Sequence, residues 1–112
     1  MADMKITAEV TAGVCKFKTV IQAESDGEGK VELKITSLCP QCKRMEKTIT
    51  AADPYAELFG AGDNEGESVY EKAQRLAVHK TCPVPLGILK AIEAAAGLAL
   101  PVSASIEMSK GE

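Results

Sequence analysis

Apolar and polar residues alternate along the first part of the chain in three blocks. Met4, Ile6, Ala8 and Val10 share one phase and Lys5, Thr7 and Glu9 the other, which is the period of a strand with one dry and one wet face. Gly13 marks a turn, after which Cys15, Phe17, Ile21 and Ala23 alternate with Lys16, Lys18, Gln22 and Glu24. The run Ser25 to Gly29 is a hairpin signal, and Val31, Leu33 and Ile35 against Lys30, Glu32 and Lys34 give a third strand. These blocks predict an antiparallel meander with one apolar face.

At Cys39 the period changes. Pro40 suits the first position of a helix, and Cys42, Met45, Ile49 and Ala52 recur at helical spacing until Asp53-Pro54 ends the pattern. Tyr55 to Phe59 fits a short helical turn, and Gly60 to Glu67 is a loop rich in glycine and acid. Ser68 and Glu71 form a capping box before a helix to about Lys80, dry along Val69, Ala73, Leu76 and Ala77. Cys82-Pro83-Val84-Pro85 opens a third helix whose surface from Leu86 to Ala96 is broken only by Lys90 and Glu93. Gly97 fits its C-terminal cap. Val102, Ala104, Ile106 and Met108 then alternate with Ser103, Ser105 and Glu107 as a last strand. The order β-β-β-α-α-α-β predicts a two-layer α+β sandwich over residues 1–112 as one domain, its sheet mostly antiparallel with helices on one face.

The chain has 112 residues, 46% hydrophobic and 26% charged, which excludes disorder and low-complexity scaffolding. A net charge of −3 argues against nucleic acid or an anionic membrane as partner. The N-terminal segment has no continuous apolar run, so a cytoplasmic location is expected. In a reducing compartment the four cysteines are thiols, metal ligands or redox groups rather than structural disulfides.

Pairing the second and third strands around Gly27 sets Glu24 opposite Lys30 and, extended, Cys15 opposite Cys39. Cys42 follows one helical turn later, whereas nothing local places Cys82. The C-x-x-C of Cys39 and Cys42 lets two sulfurs share a metal or close a disulfide, and a helix start favours the thiolate, with Lys43 and Arg44 adding to it. One expectation is therefore a zinc or iron–sulfur site on Cys15, Cys39, Cys42 and Cys82, although the spacing matches no standard zinc ribbon or ferredoxin run. Two others stand beside it: a persulfide carrier or thiol-redox relay using Cys82 or the Cys39–Cys42 pair, and an interaction module whose cysteines only fill the core. His79, three residues before Cys82, is a weaker ligand candidate. Asp63, Glu65 and Glu67 lack the ligand pattern of a calcium loop. No Ser/His/Asp set, phosphate loop or inward pair of acids is present, so conventional hydrolase or kinase activity is not expected. The nearly apolar third helix leaves room for a homodimer or another protein partner.

Three resemblances attach to these residues. The tail CPVPLGILKAIEAAAGLALP from Cys82, with GVCKFKT at Gly13 to Thr19, resembles a family of small proteins of anaerobic bacteria and methanogenic archaea, and implies an oxygen-poor cytoplasm without naming an activity. CPVPLGILKAI is similar to the Cys-Pro-x-Pro helix start of sulfur carriers that relay persulfide in tRNA thiolation, which would make Cys82 the carrier; there, however, the motif follows the first strand. LCPQCKRMEK resembles the active-site start of glutaredoxin-like proteins, with Cys39 attacking and Cys42 resolving, but those domains open β-α-β and this chain opens with a meander.

Overall fold

The computed structural model describes residues 5–11, 16–59, 67–77 and 80–111. Three strands, β1 (Lys5–Thr11), β2 (Lys18–Ser25) and β3 (Val31–Ser37), form the expected antiparallel meander. Along β2 and β3, Thr19, Ile21, Ala23, Val31, Leu33, Ile35 and Ser37 are buried. Lys18, Gln22, Glu32, Lys34 and Thr36, in the other phase, are exposed. One sheet face is therefore dry and the other wet, and the α+β class is as the alternation predicts.

The register differs from expectation by two residues. Glu24 pairs with Glu32 and Thr19 with Ser37, because the turn pivots on Glu28 rather than Gly27. Asp26 sets this pivot. Its Oδ1 accepts from the Glu28 and Lys30 N–H groups at 2.7 and 3.0 Å, while its own N–H donates to the Lys30 carbonyl at 2.9 Å. Gly27 and Gly29 take positive φ values of 77° and 97° that the tight loop demands. A shift of two residues keeps every side chain on its face, so the predicted core survives a wrong register.

The helix expected from Pro40 to Ala52 is cut short. A 3-10 turn, Cys42–Arg44, runs into one turn of helix, α1 (Met45–Thr48), and the chain then extends through Ile49. The β-branched run Thr48-Ile49-Thr50 opposes continuation, and Ala51–Ala52 instead pairs with Val31 and Glu32 as β4, completing the sheet order β1-β2-β3-β4. Cys42, Met45, Ile49 and Ala52 are all buried nonetheless. Asp53 then starts α2 (Pro54–Phe59), its carboxylate accepting the Tyr55 and Ala56 N–H groups at 3.0 and 3.3 Å.

The capping box is formed as expected. Ser68 Oγ accepts the Glu71 N–H and Glu71 Oε1 accepts the Ser68 N–H, both at 3.1 Å, at the head of α3 (Val69–Ala77). The apolar helix α4 (Val84–Ala95) lies across β1 and β2 and against α3. It ends in a Schellman pair, Leu98 N–H to Glu93 O at 3.0 Å and Gly97 N–H to Ala94 O at 3.1 Å, with Gly97 at φ 77°. The predicted closing strand at Val102–Met108 is not formed, and the sheet takes Ala51–Ala52 as its fourth strand instead. Alternation selects a dry face but supplies no partner, and Val102, Ile106 and Met108 are 69%, 80% and 87% exposed.

Candidate thiol site

β3 delivers the chain to the site through Ser37. This residue occupies a core-facing position, and its hydroxyl shares a 2.7 Å hydrogen bond with the cross-strand Thr19 hydroxyl while accepting the Cys39 N–H at 3.1 Å. The Ser37 N–H donates to Glu46 Oε2 on α1 at 3.1 Å. The Cys39 carbonyl accepts the Lys43 N–H at 2.8 Å, closing the turn that carries both cysteines of the motif.

Burial raises the Cys39 thiol, but the N–H groups of Cys42 and Gln41 and the Cys42 S–H all donate to its sulfur and outweigh that cost, leaving its pKa below the ordinary thiol value. Cys42 moves the other way, pushed up to about 12 by burial first, then by the neighbouring sulfurs of Cys82 and Cys39 and by the S–H bonds it makes with them. Cys42 is thus the shared neighbour of two thiols, one next to it in the turn and one brought from the head of α4. All three are free thiols, with Cys42 buried and the other two partly exposed.

Cys82, which no local pattern could place, therefore joins the C-x-x-C pair. Cys15 and His79 lie outside the described residues, as do Asp63 and Glu65. Continuing the observed register past Thr19 and Ser37 sets Phe17, not Cys15, across from Cys39, a correction that follows from the Asp26 pivot. Among the described residues no group of three or more His, Cys, Asp or Glu side chains is arranged to hold a metal ion as it stands. Arg44, expected to add its charge beside the thiolate, instead turns its guanidinium to the Leu76 carbonyl and the Gln41 carbonyl. It ties the motif turn to the end of α3, the helix that leads toward Cys82. Glu67 makes a two-point ion pair with Arg75 at 2.8 and 2.9 Å rather than part of a calcium loop. Thr19, Ser37 and Glu46 were not singled out from sequence, yet a hydroxyl in the dry phase of a strand was a legible signal for two of them.

Residues 6–108 match a family of unknown function, DUF6951. The chain belongs to that family. No curated protein and no solved structure matches it. Among the described residues, no helix is long and apolar enough to cross a membrane.

Proposed function

We propose that Cys39, Cys42 and Cys82 are three ligands of a thiophilic centre, zinc or an iron–sulfur cluster, with Cys15 as the fourth. The observation that carries this reading is that Cys82, forty residues away in sequence, neighbours Cys42, which also touches Cys39. Burial and the two neighbouring sulfurs oppose ionisation of Cys42, and a cation would lift that opposition and take the thiolates together. The role is that of a small binding protein in a reducing compartment such as the cytoplasm, where free thiols persist.

Elemental analysis and absorption spectra of protein purified without oxygen test it. One zinc ion or one cluster per chain is expected, with C42A and C82A both losing it. Metal-free protein that takes up none when zinc or iron and sulfide are supplied defeats the reading.

A second reading is favoured by the contrast between a lowered Cys39 and a raised Cys42. In a disulfide relay the Cys39 thiolate attacks an external disulfide, forming one S–S bond and releasing one thiolate. Cys42 then gives up its proton, attacks Cys39 and displaces the second thiol, closing Cys39–Cys42. Titration of metal-free protein with oxidised glutathione distinguishes the two. A relay gives rapid Cys39–Cys42 disulfide and a trapped mixed disulfide in C42S, whereas a metal site gives thiols shielded while loaded and reactive together after chelation.

A further inference from the structure

Val102, Ala104, Ile106 and Met108 share one phase of the segment after Pro101, with Ser103, Ser105 and Glu107 in the other. The large members of the apolar phase face solvent, Met108 at 87% exposure. This is the residue pattern that builds β1 to β3, without a strand beside it. At the other end of the sheet order, β1 bonds to β2 along one edge and, among the described residues, has no strand along the other. Its core-phase residues Ile6, Ala8 and Val10 are only half-buried, unlike those of β2 and β3. An open strand edge beside half-covered apolar side chains is a template for one more strand.

We infer that the segment Val102–Met108 adds as an antiparallel strand to the free edge of β1 in a second copy of this chain, reciprocally, making a two-fold dimer. One register satisfies both faces. It sets Ile6 against Ile106, Ala8 against Ala104 and Val10 against Val102 on the dry side, and Lys5 against Glu107 and Thr7 against Ser105 on the wet side. These five pairs are apolar with apolar, hydroxyl with hydroxyl, or cation with anion, the combinations that stabilise neighbouring strands, and the sixth sets Glu9 against the Ser103 hydroxyl, which can donate to it. The direction of pairing points to another copy. α4 begins over the Val10 end of β1, where Gly87 meets Val10. A chain leaving the far end of this helix reaches its own β1 from the Lys5 end and runs parallel to it, which loses the Lys5–Glu107 match. Two reciprocal additions of this length bring the contact toward the total of about 1,200–2,000 Å² that stable interfaces bury. Residues 101–111 are exposed throughout, which leaves the tail free for a second copy to take.

Sedimentation velocity of the full chain over a range of concentrations tests this. A dimer is expected for the native sequence, and I106K, at a position 80% exposed in the single chain, is expected to be a folded monomer that loses only the strand signal of the added segment from its circular dichroism spectrum. K5E and E107K each weaken association by up to roughly tenfold, and K5E/E107K together restore it. A native chain that stays monomeric at every concentration overturns the inference, including one whose 102–108 amides are protected from exchange by pairing within the chain. So does a dimer that survives I106K, or a charge swap that fails to restore it.

Discussion

Ser37 is where the sheet and the thiol turn are joined. Its hydroxyl serves Thr19 and Cys39 at once, and both it and Thr19 are almost wholly buried, at 2% and 1% exposure. S37A leaves a buried hydroxyl and the Cys39 N–H without their partner, so it is expected to cost about 1–3 kcal/mol, read from urea unfolding. The double variant T19V/S37A, which removes the stranded hydroxyl as well, should recover part of the loss. A double variant no better than S37A would mean that the Thr19 hydroxyl is satisfied some other way. Neither residue needed the structure to be noticed, since both are polar members of an apolar phase. What the alternation could not say is that they face each other, because that depends on a register set by the Asp26 carboxylate.

Among the elements, α4 shows how close packing overrides propensity. A Cβ built on Gly87 would lie 2.5 Å from Val10 Cγ2 on β1. Alanine there gains about 1 kcal/mol of helix propensity but forces the helix off the strand, an overpacking cost of about 1–3 kcal/mol. G87A is expected to lower stability in chemical denaturation, and V10A/G87A to be more stable than the two single effects added together. Strict additivity would show that the helix does not rest on Val10. Strands β1 to β3, the capping box, the Gly97 cap and the apolar length of α4 were all legible, because each is encoded within a few residues. The helix expected from Pro40 to Ala52 was not legible as it is. Its buried stripe of Cys42, Met45, Ile49 and Ala52 is real, but a 3-10 turn, a helical turn and a short strand deliver the same four side chains to the core. Periodicity reports which residues are inside, not which backbone carries them.

For the molecule as a whole, the thiols make stability depend on pH under reducing conditions. The folded state holds the Cys42 proton up to about 12, whereas an unfolded chain releases it near the ordinary thiol value of 9.0. Between those values the unfolded state binds fewer protons, so stability is full below about 9 and falls as the pH rises toward 12. Cys39, lowered in the fold, acts in the opposite sense, adding stability as the pH climbs to the ordinary thiol value. Urea midpoints measured across this range in metal-free protein should decline above pH 9, and the decline should flatten in C42A. A native chain as flat as C42A would mean that Cys42 ionises as freely when folded as when unfolded. The meeting of Cys82 with Cys42 behind this behaviour is a long-range contact, made by α4 packing on the sheet and by Arg44 holding the end of α3, and no local pattern contains it. Glu57 makes another long-range link, its two carboxylate oxygens accepting the Val69 and Tyr70 N–H groups at 3.0 and 3.2 Å. α2 and the head of α3 are thereby clasped independently of the stretch between them. In polymer terms the two ends of that segment are already joined, so lengthening it raises the closure cost only with the logarithm of its length. Positions 60–66 are accordingly where an inserted reporter or affinity peptide would disturb the thiol site least.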